Sequence, residues 1–274
     1  MKVRNPAALG SYLRDQGLML GRSRKDVGRE LSTTPLRVTH AVNADERALD
    51  QLTGDAIEMA KLILSDTADA RSRWRAAGDF DLLIRQATGI AKAPYVAEFV
   101  RVLLESEEKV VLWGWHRAVY DIWAQRLDEF QPVAYTGSET AGQKMRNAEA
   151  FTSGASRVLL MSLRAGAGLN GLQDCCHVGV FGELDWSPQV HNQCIGRLDR
   201  DGQSEPVTAY FLVSHAGADP VMAEVLELKH QQAEPIVHPD ATLFEPLVDT
   251  SDKVKRLAAD VLARHGIQAD ELLL

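Results

Sequence analysis

Gln193, Arg197 and Arg200 stand at i, i+4 and i+7 in a segment that reads as helix, so their side chains project from one stripe. The run Asp185-Trp186-Ser187-Pro188 starts that helix, because Ser caps and Pro is tolerated at the first helical position. The predicted helix spans Pro188 to Arg200. Two guanidinium groups and an amide facing one way offer a surface of donors suited to a polyphosphate. The competing reading is a solvated face whose arginines pair with Asp199, Asp201 or Glu183.

Such a stripe needs a rigid frame, and the surrounding sequence supplies one. After Pro94 apolar runs alternate with amphipathic ones, the pattern of a parallel sheet covered by helices. Strands are predicted over Lys109 to Gly114, Pro132 to Tyr135, Arg157 to Ser162, His177 to Phe181 and Val207 to Val213. Helices are predicted over Tyr95 to Leu104, Ala118 to Phe130, Ala141 to Phe151 and Pro220 to Gln232. Four of the strands are continuous apolar runs, as in strands buried on both faces.

The flanks are more helical. Leu13 to Val27 is basic and helical, Leu36 to Val42 is strand-like, and Asp45 to Leu64 has helical spacing with an acidic start. The polar stretch SDTADARSRWRAAGD reads as a loop or short helix before a helix at Phe80 to Thr88. The tail holds Pro235, Pro239 and Pro246 and then a helical segment from Ser251 to about His265. The expected division is a helical segment and entry over residues 1–94, an α/β lobe over 95–232 and a tail over 233–274.

The composition is that of a globular protein: 274 residues, 45% apolar and 25% charged. No run approaches the ~20 apolar residues of a membrane span, and MKVRNPAALGSYLRDQG lacks the apolar core of a signal peptide. The expectation is a cytoplasmic protein, nucleoid-associated in a prokaryote or nuclear in a eukaryote, with no membrane partner. Cys175, Cys176 and Cys194 have no metal-type spacing and read as packing residues. A net charge of −8 argues against nucleic-acid binding through the overall field, so any DNA contact must be local.

The segment GELDWSPQVHNQCIGRLDRDGQ, Gly182 to Gln203, resembles the QxxGRxxRxGQ signature of the Swi/Snf family in helicase superfamily two. The resemblance implies a RecA-like α/β fold whose two arginines reach across an interdomain cleft to the γ-phosphate of ATP on another lobe. It implies Arg200 as the arginine finger, Arg197 as its neighbour and Gln193 as a residue that orders the site. Upstream, the strand and loop RVLLMSLRAGAGLNGLQDC is similar to the family's strand and glycine-rich turn between nucleotide and DNA, with Ser162, Gly166, Gly168 and Asn170 in the matching places. The loop reads Ala-Gly-Ala-Gly where many relatives have a Gly-Gly pair, and taken alone such a loop only turns the chain.

The family's DNA-facing blocks are matched with one departure. Gly137, Ser138, Lys144, Arg146 and Arg164 are implied as DNA contacts through backbone amides and cations, a solvated helix being the alternative for Lys144 and Arg146. In KVVLWGW and the His116-Arg117 that follow, Trp115 and His116 replace small polar residues; a packed histidine is the other reading of His116. LMLGRSRKDVGREL resembles the segment that joins the family's two lobes, and RQATGIAKAPYVAEFV its entry into the second lobe.

Two parts of an ATPase are missing. No Gly-Lys pair exists to form a phosphate-binding GxxxxGK[ST] loop. Asp45-Glu46 and Asp128-Glu129 lie in helical or polar contexts, not at the end of an apolar strand where a metal-holding pair belongs. The expectation is therefore the second lobe of an ATP-driven double-stranded-DNA translocase, inactive alone. ATP and Mg2+ would bind only with a first RecA-like lobe, in cis or in trans, and DNA would bind weakly to this chain by itself. Two other readings are a non-catalytic RecA-like protein-docking module and the equivalent lobe of a restriction-type superfamily-two translocase.

Overall fold

The computed structural model describes residues 6–18, 35–65, 67–164, 169–226 and 253–267. Among these the order is α1 (Pro6–Asp15), β1 (Leu36–Val42), α2 (Glu46–Leu52), α3 (Ala56–Leu64), α4 (Ala70–Ser106), β2 (Val110–Gly114) and α5 (Arg117–Arg126). Then come β3 (Val133–Tyr135), α6 (Ala141–Ser153), β4 (Val158–Ser162), β5 (Val178–Phe181), α7 (Pro188–Leu198) and β6 (Thr208–Ser214). Helical residues 219–226 (α8) and α9 (Lys253–Arg264) complete it. The strands form one sheet in the order β1-β6-β5-β2-β4-β3, and every pairing is parallel.

Two-residue periodicity sorts the strand side chains into two cores, one on each face of the sheet. Val111, Trp113, Leu159, Met161, Phe181 and Ala209 pack with residues of α3, α7, α9 and the first half of α4. Val110, Leu112, Val158, Leu160, Val180 and Leu212 pack with α5 and the second half of α4. The expected RecA-like parallel sheet with helices on both faces is what the chain forms.

Three elements differ from the sequence reading. The later part of the polar stretch, from Ala70, and the two helices expected at 80–88 and 95–104 form one helix, α4, that passes through Pro94. Its start is fixed by Asp69, whose side chain accepts from the Arg71 and Ser72 amides. A proline inside a helix disrupts the ladder to the preceding turn. The carbonyl that Pro94 leaves without its helical donor is that of Ile90; the next one along, of Ala91, accepts from the Asp45 amide at 3.0 Å. Lys92, Ala93, Val96 and Ala97 are all buried around the proline, so packing holds the helix together. The boundary expected at residue 94 thus falls inside α4.

The strand at Leu36–Val42, read as part of the N-terminal segment, is an edge strand of the sheet, paired with β6 from Leu36↔Thr208 to Val42↔Ser214. The helix read over Asp45 to Leu64 is two helices, α2 and α3, broken where the Thr53 hydroxyl donates to the Leu49 carbonyl and Gly54 follows. The tail helix packs as α9 against α3, with Leu257, Ala258, Val261 and Leu262 in the first core. Most of the basic run from Leu13 to Val27, and all of LMLGRSRKDVGREL after Leu18, lie outside the described residues. No described helix is long and apolar enough to cross a membrane.

Candidate functional site

The loops that leave β2, β3, β4 and β5 open at the carboxyl edge of the sheet, where ligands bind in open parallel α/β folds. The loop after β5, Gly182 to Ser187, leads directly into α7 and is tied to its neighbours at each step. Glu183 is buried and accepts from the Trp115 and His116 amides after β2, at 2.6 and 2.9 Å, while its other oxygen lies 2.6 Å from His116 Nδ1. The Leu184 carbonyl accepts from Arg85 of α4 at 3.1 Å. Asp185, also buried, takes a forked contact from Arg164 Nε and Nη2 after β4, at 3.0 and 3.2 Å, and accepts from the Ser187 amide. Trp186 donates to Asp81 of α4 at 2.7 Å and carries Lys253 of α9 over its ring.

Glu183 was one of the acids that could have neutralised the arginine stripe; it holds the loop after β2 instead. His116 is indeed a packed histidine, 7% exposed. Neither Glu183 nor Asp185 carries a sequence signal for these contacts, since the partners lie in loops after two other strands.

Within α7, Gln193 is exposed and Arg197 is half-buried. Burial holds the Arg197 guanidinium below its ordinary value, and the nearby Arg200 charge acts in the same direction. The predicted helix ran to Arg200, whereas α7 ends at Leu198 and Arg200 lies past the cap residue Asp199. The chain turns there through Gly202, at φ +100, a conformation that side chains with a Cβ rarely adopt. Gln203 stabilises the turn: its Nε2 donates both to the Leu198 carbonyl, which also accepts from the Arg200 amide, and to the Cys176 carbonyl before β5. Arg200 is placed by contacts rather than by helical phase, its Nε donating to the Gly196 carbonyl at 2.9 Å and Nη1 to Asn170 Oδ1 at 2.6 Å.

Of the four loop residues expected near a nucleotide, Asn170 therefore meets Arg200. Ser162 ends β4 and its hydroxyl accepts from the Arg164 amide. Gly166 and Gly168 lie outside the described residues. Gly137 and Ser138 are exposed in the turn after β3, but the turn is closed on itself: Glu139 accepts from the Thr136 amide, and Thr136 Oγ1 from the Ser138 amide. On α6, Lys144 sits over the Tyr135 ring at 5.4 Å and Arg146 is exposed. Arg164 remains 57% exposed despite its pairing with Asp185.

Cys176 and Cys194 are buried, and burial pushes both thiols up to about 12, so they pack as neutral side chains. His191, on α7, accepts from the Asp185 amide through Nε2 and packs edge-on against the stacked rings of Phe181 and Phe211. Burial lowers its pKa to about 4. The folded histidine stays neutral where an unfolded one, near 6.5, takes a proton. Its contribution to stability is complete above about pH 6.5 and is lost as pH falls towards 4. From pH 7 to pH 5 the wild type is expected to lose about 2 kcal/mol more stability than His191→Gln in urea melts. Equal losses in the two proteins would remove His191 as the cause.

The pattern of the helicase conserved C-terminal domain matches residues 92–202, from α4 to the turn after α7. The chain is 25% identical over 164 residues to a Drosophila melanogaster SWI/SNF-related matrix-associated actin-dependent regulator of chromatin subfamily A-like protein 1, and 30% identical over 151 residues to the Bos taurus protein of that description. This chain carries a helicase conserved C-terminal domain and is similar to proteins of the Swi/Snf family. The two alignments cover 58% and 54% of it but only 22% and 16% of those relatives, so the lobe spans a small part of their length. Solved structures agree on the fold. The Sulfolobus solfataricus SWI2/SNF2 ATPase core in complex with double-stranded DNA superposes on 93% of the lobe, with a TM-score of 0.63 at 14% identity, this being 55% of that chain. The C-terminal part of the Fun30 ATPase domain superposes on 84% of the lobe and 99% of itself, with a TM-score of 0.56 at 14% identity.

Proposed function

We propose that this lobe is the second half of an ATP-dependent double-stranded-DNA translocase, supplying an arginine finger to a nucleotide held by a first RecA-like lobe. The observation that carries the proposal is the placement of Arg200 beside Asn170 at the end of α7, with Arg197 one turn before it. Each guanidinium brings several fixed donors and a positive charge. Charge spreads over the equatorial oxygens of a phosphoryl group during transfer, and donors positioned beforehand stabilise it without reorganising.

The lobe's own residues bind, orient and hold. Asn170 and the Gly196 carbonyl fix the direction of the Arg200 fork, and Gln203 closes the turn beneath it. Asp185 holds Arg164 at the carboxyl edge, where it, Lys144 and Arg146 would meet DNA phosphates. Mg2+, bound with the phosphates on the other lobe, would neutralise charge that the arginines do not reach. Because Glu183 and Asp185 are two residues apart and grip the loops after β2 and β4, a shift of the DNA-facing loops is carried into the start of α7.

Mixing supplies the test. The purified lobe is expected to hydrolyse ATP at background rate with or without duplex DNA, and DNA-stimulated turnover is expected only after a first lobe containing a phosphate-binding loop is added or fused. Robust turnover by the lobe alone would sink the proposal.

A further inference from the structure

Trp115 is 37% exposed, yet it sits on one of the most firmly held turns of the lobe. Its own amide and that of His116 both donate to Glu183 Oε2, and the strand that precedes it, β2, is buried at every residue. More than a third of this indole is open to solvent although the backbone beneath it is pinned. Above it lies Arg164, its guanidinium 5.4 Å from the ring centroid. That arginine is held by a buried acid of its own, Asp185, 2% exposed, as Glu183, 4% exposed, holds the turn below. Two buried carboxylates from one loop thus fix an exposed ring and an exposed cation side by side at the carboxyl edge of the sheet.

We propose that Trp115 and Arg164 form a platform for an unpaired nucleobase of a DNA strand, the base lying against the indole and the guanidinium meeting the adjoining phosphate. An aromatic ring stacks any base once that base has left its own duplex, whereas a paired base offers only its edge. A planar guanidinium serves both contacts, since it stacks on aromatic faces and forks to phosphate oxygens. Rigid presentation raises the affinity of such a pair, because no loop has to be ordered on binding. The substrate class that follows is duplex DNA interrupted by unpaired nucleotides. The inference rests on the reading of this chain as a DNA-tracking lobe and adds to it a preference that phosphate contacts alone do not give.

The test is a titration of the 274-residue chain, at low salt, with two labelled DNAs of equal length, one fully paired and one with a central run of unpaired thymines. Wild type is expected to favour the interrupted DNA by about five- to a hundredfold, the range that one stacked base supplies. Trp115→Ala is expected to bring the two affinities together while leaving the paired duplex bound as before, and Trp115→Phe to keep most of the preference. The part of the indole emission that Trp115→Phe lacks is expected to be quenched by the interrupted DNA. Equal affinity of wild type for both DNAs, with that emission unchanged, overturns the platform and leaves the DNA-tracking lobe standing. Failure to bind either DNA, by the lobe and by the assembled two-lobe motor, overturns the lobe reading together with the platform. Equal quenching by ATP or ADP alone would assign the base to a free nucleotide and overturn the DNA assignment.

Discussion

Arg200→Ala, in a motor assembled from this lobe and a first RecA-like lobe, is expected to lower DNA-stimulated ATP hydrolysis by about 10³- to 10⁵-fold, the range an arginine finger supplies. ATP binding, read by a fluorescent nucleotide, is expected to stay near wild type, because the proposal places the phosphates on the other lobe. The reason for choosing Arg200 over Arg197 is its surroundings. Arg197 is half-buried on α7, and burial already disfavours its charge. Arg200 stands past the helix end, tethered through Nε and one terminal nitrogen, with the rest of its fork available. Arg200→Lys is expected to restore little: a lysine ammonium cannot keep the contacts to Gly196 and Asn170 and still present a planar pair of donors. Asn170→Ala is expected to give a smaller loss, confined to turnover, since it frees the fork without removing it. Wild-type turnover in Arg200→Ala would rule out the assignment, and a collapse of turnover in Arg197→Ala alone would move the finger by one turn.

How far the sequence anticipated this site follows from where each signal lies along the chain. The stripe on α7 was legible because its members are close in sequence and Ser187-Pro188 marks the helix start. Its far end was not: the helix stops at Leu198 because Gln203 and Gly202 turn the chain, and the position of Arg200 depends on Asn170, thirty residues earlier. The strands were legible because burial on both faces writes continuous apolar runs. The role of β1 was not, since LRVTHAV is mostly exposed and joins the sheet only through β6, at the other end of the chain. Pro94 marks a boundary in the sequence because a proline usually ends a helix; the burial of Lys92, Ala93, Val96 and Ala97 around it overrides that local preference. Glu183 and Asp185 were visible only as acids near arginines, and the sheet order β5-β2-β4 decides what they hold.

The buried pair of Lys92 and Asp219 was the least legible feature and is expected to give the largest loss of stability. In IAKAPYV a lysine looks like any solvated helix residue, and its partner is 127 residues away. In the fold Lys92 is 1% exposed; its ammonium donates to Asp219 Oδ2 at 2.6 Å and to the Leu212 carbonyl at 2.9 Å. The same oxygen of Asp219 accepts from the Ser214 amide, and Thr88 Oγ1 accepts from the Ala218 amide, so α4 closes the turn from β6 into α8 with buried polar contacts. Gly217 makes the turn at φ +68, and a Cβ there would lie 2.1 Å from Thr88 Oγ1. Asp219→Ala leaves an ammonium and an amide without their acceptor in the core, and the expected cost is about 3–5 kcal/mol, read as a lower urea midpoint. Pairing it with Lys92→Met removes the stranded charge, and because a buried ion pair contributes little net stability over apolar replacements, the double variant is expected to recover most of the loss. If the double variant is as unstable as the single one, the cost comes from the Ser214 amide and the turn. If Asp219→Ala matches wild type, the lysine has found water, and α4 does not need this pair to hold the carboxyl end of β6.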